Sequence, residues 1–353
     1  MPRFPLLPLL LLALTAAAGG CRRPVERVLE FSSDASSRTG LVPVEGGVLL
    51  GNEAGALLRL RADGSVVWRA MLGREVAAPP AAAGSAVLAG TVTGELVCLD
   101  LGTGKERWRL TAQPPVLTGL VADAASVYVV APDGSVRAHA VDTGALRWQR
   151  PGFKVALLGT PLAPVLAGDT LVVAQGPRAL LGLATRDGAQ RWRAAKGEVV
   201  GLTGDGSSVY LTTRTGGLLR LRAGDGSTVW EVSHVLGATS GPSLAGGRVW
   251  MGAPPAQLVG VRQEDGALVW QGPLPSPLTS GVAQLGGLLL VPTSGPEGRL
   301  LALSAPDEAP AFEQRLDTRL QSAPVVREGT ALVLGRDGRV LGFRLRQPPP
   351  RGP

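Results

Sequence analysis

Residues 98–108 read Cys98-Leu99-Asp100-Leu101-Gly102-Thr103-Gly104-Lys105-Glu106-Arg107-Trp108, and residues 138–148 repeat the plan as Ala138-His139-Ala140-Val141-Asp142-Thr143-Gly144-Ala145-Leu146-Arg147-Trp148. Outward from these two segments the terminal tryptophan returns as Trp68, Trp108, Trp148, Trp192, Trp230 and Trp270, at spacings of 40, 40, 44, 38 and 40 residues. Self-similarity at a fixed period of this size marks an array of supersecondary units. Four positions before each tryptophan stands a glycine: Gly64, Gly104, Gly144, Gly188, Gly226 and Gly266. Each glycine follows Asp or Thr, namely Asp63, Thr103, Thr143, Asp187, Asp225 and Asp265.

Asp/Thr-Gly is turn chemistry. The glycine takes positive φ without a steric penalty, and the short polar side chain bonds its own backbone. Apolar runs flank the turns, such as Leu96-Val97-Cys98-Leu99 before and Val229-Trp230-Glu231-Val232 after, so each turn joins a hairpin. Another apolar stretch precedes each pair, for example Ser208-Val209-Tyr210-Leu211 ahead of Gly216-Gly217. Four strands of about five to six residues with short links fill roughly 40 residues. No long 3.6-periodic segment interrupts them, so the class is all-β, and four-stranded antiparallel repeats close radially into a β-propeller.

The blade count follows from the ends. Phe312 stands 42 residues after Trp270 and takes the place of a seventh tryptophan in a degraded unit. Beyond it, Ala323-Pro324-Val325-Val326, Ala331-Leu332-Val333-Leu334 and Arg339-Val340-Leu341-Gly342-Phe343 supply three strands, while Val28-Leu29-Glu30-Phe31 lies 37 residues before Trp68 with no unit of its own. The expectation is an eight-bladed β-propeller over residues 28–346, closed by the N-terminal strand pairing into the last blade. Such closure removes an exposed sheet edge.

The first twenty residues read as an export signal: Arg3 gives a positive start, residues 6–14 an apolar run and residues 16–20 a small-residue cleavage zone. The apolar run is shorter than the ~20 residues of a membrane-spanning helix. Ala18-Gly19-Gly20-Cys21 resembles the bacterial lipobox, with Ala18 where leucine is usual, which implies acylation of Cys21 and firm anchoring. Arg22 follows, and in enteric bacteria a residue other than Asp there implies sorting to the outer membrane. Residues 21–27 then form a lipidated linker, and residues 347–353 a disordered Pro-rich tail. Cys98 is the one other cysteine, so an acylated Cys21 leaves no internal disulfide. The net charge is +7, carried almost wholly by arginines spread along the chain, with Lys105, Lys154 and Lys196 as the lysines. No basic run interleaved with aromatics marks a nucleic-acid surface.

The repeated core resembles the PQQ-like propeller repeat, whose docking motif runs roughly Ala-x-Asp-x-x-Thr-Gly-x-x-x-Trp, over most of the chain beyond Cys21. That resemblance implies structural docking by Gly64, Trp68, Gly104, Trp108, Gly144, Trp148, Gly188, Trp192, Gly226, Trp230, Gly266 and Trp270, with each indole packed on a turn glycine and the neighbouring blade. The WD-repeat class fits less well because none of the seven tryptophans precedes Asp, and kelch less well because its period is near 50. Within the PQQ-like group, the quinone-dependent dehydrogenases hold quinone and calcium over the ring axis, usually beside adjacent cysteines and long insertions, and the sequence has neither. A lipobox with a short ring and no cofactor resembles the BamB family of outer-membrane assembly factors. This implies no catalytic, cofactor-binding or metal residues. It also implies a monomeric, lipid-anchored ring on the periplasmic side of the outer membrane, whose partner is the barrel-insertion subunit. The alternative is a PQQ-dependent dehydrogenase-like propeller or one that binds a quinone or another ligand.

Single residues that tempt a chemical reading have structural ones. Cys98 fills the small-residue position of Ala138 and Ala302, which favours packing over reactivity. His139 and His234 lack metal-ligand spacing. Asp63, Asp187, Asp225 and Asp265 recur at one turn position on different blades, too far apart for calcium or acid–base pairing. Gly201-Leu202-Thr203-Gly204-Asp205-Gly206 lacks the lysine and helix of a phosphate loop. Trp250 falls outside the register of the other six, which makes it the aromatic to examine for a partner contact, with core packing the favoured role.

Overall fold

The computed structural model describes residues 24–111, 113–152, 162–175, 178–233, 237–295, 297–305, 308–320 and 322–346. The export signal, Cys21, His234 and the tail 347–353 lie outside the described residues. Eight four-stranded antiparallel sheets make up the fold. Seven are continuous in sequence: blade 1 (residues 42–71), blade 2 (81–110), blade 3 (121–150), blade 4 (165–195), blade 5 (199–232), blade 6 (243–273) and blade 7 (283–315). Blade 8 joins the termini, with the strand Val25–Ser32 outermost, beside Arg339–Leu345, Thr330–Leu334 and Val325–Arg327.

Ring closure is a seven-pair antiparallel ladder from Val25↔Leu345 to Ser32↔Arg339, with Phe31 opposite Val340 and a bulge between Arg27 and Leu29. The strand starts at Val25, three residues ahead of the apolar run Val28–Phe31 that announces it. Pro24 extends the ladder by accepting the Arg346 N–H at 2.9 Å.

Burial explains the apolar run lengths. The second strand of blade 1, Gly47–Gly51, and that of blade 2, Ala86–Gly90, are buried at every position, because both their faces meet neighbouring sheets. Outer strands such as Val66–Met71 and Leu146–Arg150 bury the tryptophan and leave the residues on either side exposed or half-buried. The hydrophobic core therefore forms interblade layers. One layer sets Leu49, Leu57 and Trp68 of blade 1 against Val87, Val97 and Leu99 of blade 2. Another sets Phe312 of blade 7 against Phe343 of blade 8, ring centroids 6.0 Å apart.

Innermost strands are short, mostly two or three residues, and surround the axis with most neighbours in contact. In each continuous blade the first-to-second and third-to-fourth strand turns reach one face of the ring. The second-to-third strand turns and the connections between blades reach the other.

Candidate functional site

The repeated turn is built from its aspartate and glycine. Asp100 Oδ1 accepts the Thr103 N–H and hydroxyl, each at 2.9 Å, and Gly104 N–H donates to the Asp100 carbonyl at 2.8 Å. The Arg107 guanidinium, 2.6 Å from Asp100 Oδ2, leads the interactions that hold this carboxyl down to about 2. Asp63, Asp187, Asp225 and Asp265 each accept the backbone N–H two residues on, at 2.8 to 3.0 Å. These carboxylates are occupied in turns. Among the described residues no three His, Cys, Asp or Glu side chains cluster as metal ligands.

Gly104 has φ +69°, and a Cβ there would lie 2.6 Å from Trp68 Cδ2. Trp68 thus rests on the turn of the following blade, not on the glycine four residues before it. The same step relates Trp108 to Gly144, Trp148 to Gly188, Trp192 to Gly226 and Trp230 to Gly266, with Cβ approaches of 2.6 to 3.0 Å. The five indole N–H groups donate across the same interfaces to the carbonyls of Leu101, Val141, Thr185, Ala223 and Gln263, at 2.7 to 3.1 Å. A buried indole carries ~150–250 Å² and needs such an acceptor for its one donor. Blade 7 has Glu308 where a glycine would stand, and Trp270 packs there against Leu289, Leu301 and Leu303.

Trp250 is 1 % exposed, donates to the Ala245 carbonyl at 3.0 Å and meets Trp270 edge-on at 5.5 Å. It offers no surface to a partner. Tyr128 holds the corresponding position beside Trp148, and Tyr210 beside Trp230. Cys98 pairs with Trp108 as Ala138 pairs with Trp148 and Ala302 with Phe312, and burial pushes its thiol up to about 11. His139 is 4 % exposed, and its Nδ1 lies 3.0 Å from the Gly144 carbonyl. Burial pulls its pKa below the ordinary value.

Sequence reasoning missed two residues of this belt. At the register position taken by Cys98 and Ala138, blade 1 has Arg59 and blade 5 has Arg220. Arg59 Nη1 donates to the Leu101 carbonyl at 2.9 Å and Arg220 Nη1 to the Gln263 carbonyl at 3.2 Å, the same oxygens that receive Trp68 and Trp230. The preference for a small residue at that position hides this, and only the repeat alignment of Arg59 with Arg220 signals it.

The axial wall consists of Val-Pro-Val, Ala-Ala-Ala, Val-Ala, Val-Leu-Ala, Val-Val-Gly-Leu-Thr-Gly, Ser-Leu-Ala, Ala-Gln-Leu and Val-Val-Arg from the eight innermost strands. An open groove of about 520 Å³ runs along it past Thr203, Ser243, Leu244, Gln284, Pro324 and Val326. No carboxylate stands on these strands. A calcium ion bound with quinone takes six to eight oxygen ligands, largely carboxylate and carbonyl, and this wall does not fit it. The polar side chains that line the groove are those of Thr203, Ser243 and Gln284.

The loop face between blades is charged and self-paired. Glu53 of blade 1 lies 2.6 Å from Arg336 of blade 8 and 2.7 Å from Arg38, and Glu198, in the connection from blade 4 to blade 5, lies 2.6 Å from Arg214 of blade 5. The two guanidiniums hold Glu53 below the usual carboxylate range, with the Arg336 bond the largest cause. Exposed pairs contribute only ~0–1 kcal/mol each, so a partner's charges can replace them at small cost. Leu117, 44 % exposed, adds an apolar point on this face.

The profile of the family described as outer membrane protein assembly factor BamB matches residues 53–198, 133–281 and 275–346. Proteins named outer membrane protein assembly factor BamB are similar to this chain. That of Shewanella oneidensis is 23 % identical over 61 % of the chain and 58 % of its own length, and that of Burkholderia pseudomallei 26 % identical over 91 % and 88 %. The alignment with the Yersinia pestis protein spans only 51 % of that protein. Among solved structures, BamB from Moraxella catarrhalis superposes with a TM-score of 0.76 at 17 % identity, covering 91 % of this chain and 99 % of that one. Quinohemoprotein alcohol dehydrogenase from Comamonas testosteroni superposes at 0.69 and 12 % identity, covering 94 % and 78 %. At these identities the likeness is one of fold.

Proposed function

We propose, from the premise that this chain belongs to the family of the outer membrane protein assembly factor BamB, that it is a non-catalytic scaffold of the outer-membrane assembly machinery. In this reading Cys21 carries the lipid anchor, the ring sits on the periplasmic side of the outer membrane, and its loops hold a periplasmic domain of the barrel-insertion subunit. The observation that carries the non-catalytic reading is the axial wall. Where the quinone-dependent relatives of this repeat need ligands for calcium and quinone, these strands offer mainly valine, alanine and leucine, with no carboxylate. A rigid ring with exposed loops suits protein contacts, since loop sequence varies at little cost to the scaffold.

The test is recovery of the tagged chain from outer membranes solubilised in mild detergent, followed by mass spectrometry. The insertion subunit is expected in the eluate at comparable amount. Recovery of the ring alone, both under gentle washing and after crosslinking in intact cells, would sink the proposal. Titration with pyrroloquinoline quinone and calcium separates the enzyme alternative: stoichiometric binding with dye reduction would reverse the assignment.

A further inference from the structure

Both ends of the described ring leave it at one corner. Val25 pairs with Leu345, the Pro24 carbonyl accepts the Arg346 N–H, and Arg346 Nε meets Glu26 at 3.1 Å. The turn from Arg327 to Thr330 closes the same end of blade 8, because Thr330 pairs with both Arg327 and Arg344. Arg327, Arg344, Leu345 and Arg346 therefore surround the point where the N-terminal strand enters, together with two carboxylates, Glu26, which is paired with Arg346, and Glu328 of the turn. Leu345 is 38 % exposed. Arg344 donates to the Thr330 hydroxyl and Arg327 to the Val326 carbonyl, both neutral oxygens, and neither is in an ion pair among the described residues.

Only Arg22 and Arg23 separate Cys21 from Pro24. Three residue steps reach about 10 Å at full extension, little more than the ~5–7 Å depth of one headgroup layer. A ring tied this closely to acyl chains cannot stand clear of the bilayer. The side it presents is fixed by where its first strand begins.

We propose that the blade 8 corner formed by Arg327, Arg344, Leu345 and Arg346 lies in the headgroup layer of an anionic lipid surface, with the guanidiniums on phosphates and Leu345 toward the acyl boundary. This rests on the reading of Cys21 as lipidated. Basic side chains next to an anionic leaflet are attracted within a Debye length, and one exposed apolar side chain beside them gains from insertion. Blade 4, four blades around the ring, is then held farthest from the membrane, and the loop face carrying Glu53, Arg38 and Leu117 stays open to protein.

The experiment uses the full lipidated protein in vesicles that contain phosphatidylglycerol and a headgroup nitroxide. An environment-sensitive dye is placed at Leu345→Cys or, on the outer strand of blade 4, at Arg193→Cys; buried Cys98 stays unlabelled. Quenching several-fold stronger at position 345 than at 193 is expected, and a flexible spacer of about twenty residues after Arg22 should remove that difference while the protein still floats with the vesicles. Equal quenching at both positions, or a difference that survives the spacer, overturns the proposal. Loss of the underlying reading has its own signature: intact mass without acyl chains, or a Cys21→Ser variant that floats like the parent.

Discussion

Leu29 stands on Gly64 in the way each of five tryptophans stands on the glycine of the following blade. A Cβ on Gly64, which has φ +82°, would lie 2.0 Å from Leu29 Cδ1, and Leu29 faces Gly342 across the ladder as Trp192 faces Gly182. The seam between blades 8 and 1 is thus sealed by an aliphatic side chain from the segment that also closes the ring. Leu29→Ala should cost about 2 kcal/mol, the low end for a leucine truncation because the side chain is only partly buried. Gly64→Ala should destabilise as well, through both clash and positive φ. Urea midpoints measure both, and an unchanged midpoint for either would contradict this account of the seam.

The belt at Trp148 separates packing from hydrogen bonding. The indole donates to the Thr185 carbonyl at 2.9 Å, covers Gly188 and lies 5.8 Å from Tyr128. Trp148→Phe should lose about 1 kcal/mol with the donor, and Trp148→Ala about 3–5 kcal/mol with the ring. Equal losses in denaturant titration would mean that the N–H bond, not the ring, dominates.

Acid should weaken the interface between blades 2 and 3 through His139. Burial lowers its folded pKa, and the nearby Arg137 pushes the same way, so the unfolded chain binds the proton more readily. Stability therefore falls as pH drops through about 6.5, the unfolded value, and goes on falling until the folded pKa is passed. The melting temperature of His139→Leu should rise relative to that of the parent on going from pH 8 to pH 5, since leucine fits this register, as Leu60, Leu99 and Leu183 do in blades 1, 2 and 4, and does not titrate. A gap that does not change with pH would rule out the imidazole.

Cys98 should be silent in the folded protein. Its thiol is fully buried and its pKa is about 11, so little thiolate exists at neutral pH. In a Cys21→Ser background, a chromogenic disulfide reagent should leave the native chain untouched and titrate one thiol in denaturant. Cys98→Ala should preserve the melting temperature to within a few degrees, given Ala138 and Ala302 at the same register. Rapid native labelling would show that the packing around it opens.

Turn glycines and outer tryptophans are written in the sequence because both obey strict local demands: positive φ at Gly104 and a broad buried ring at Trp108. The blade count and the pairing of Val28–Phe31 into the final sheet follow from them. What the period does not reveal is which neighbour an indole touches, since Trp68 meets Leu101 and Gly104 of the following unit only after the sheets stack. Trp250 misleads for a related reason. It lies outside the outer-strand register, yet Tyr128, Tyr210 and Trp250 each precede the blade tryptophan by 20 residues, a second period carried by the second strand. Arg59 and Arg220 stay hidden because a long cation on a buried strand is justified only by carbonyls of the next blade.

Sharing one sheet between residues 25–32 and 339–345 sets an order of events during synthesis. The first strand to leave the ribosome must wait for nearly the last, since that sheet has no completing partner until about three hundred further residues have emerged. Throughout that interval the flank of blade 1 that Leu29 covers is bare and an unpaired strand edge is open to solvent. Whatever attends this nascent chain guards its earliest product until its latest arrives.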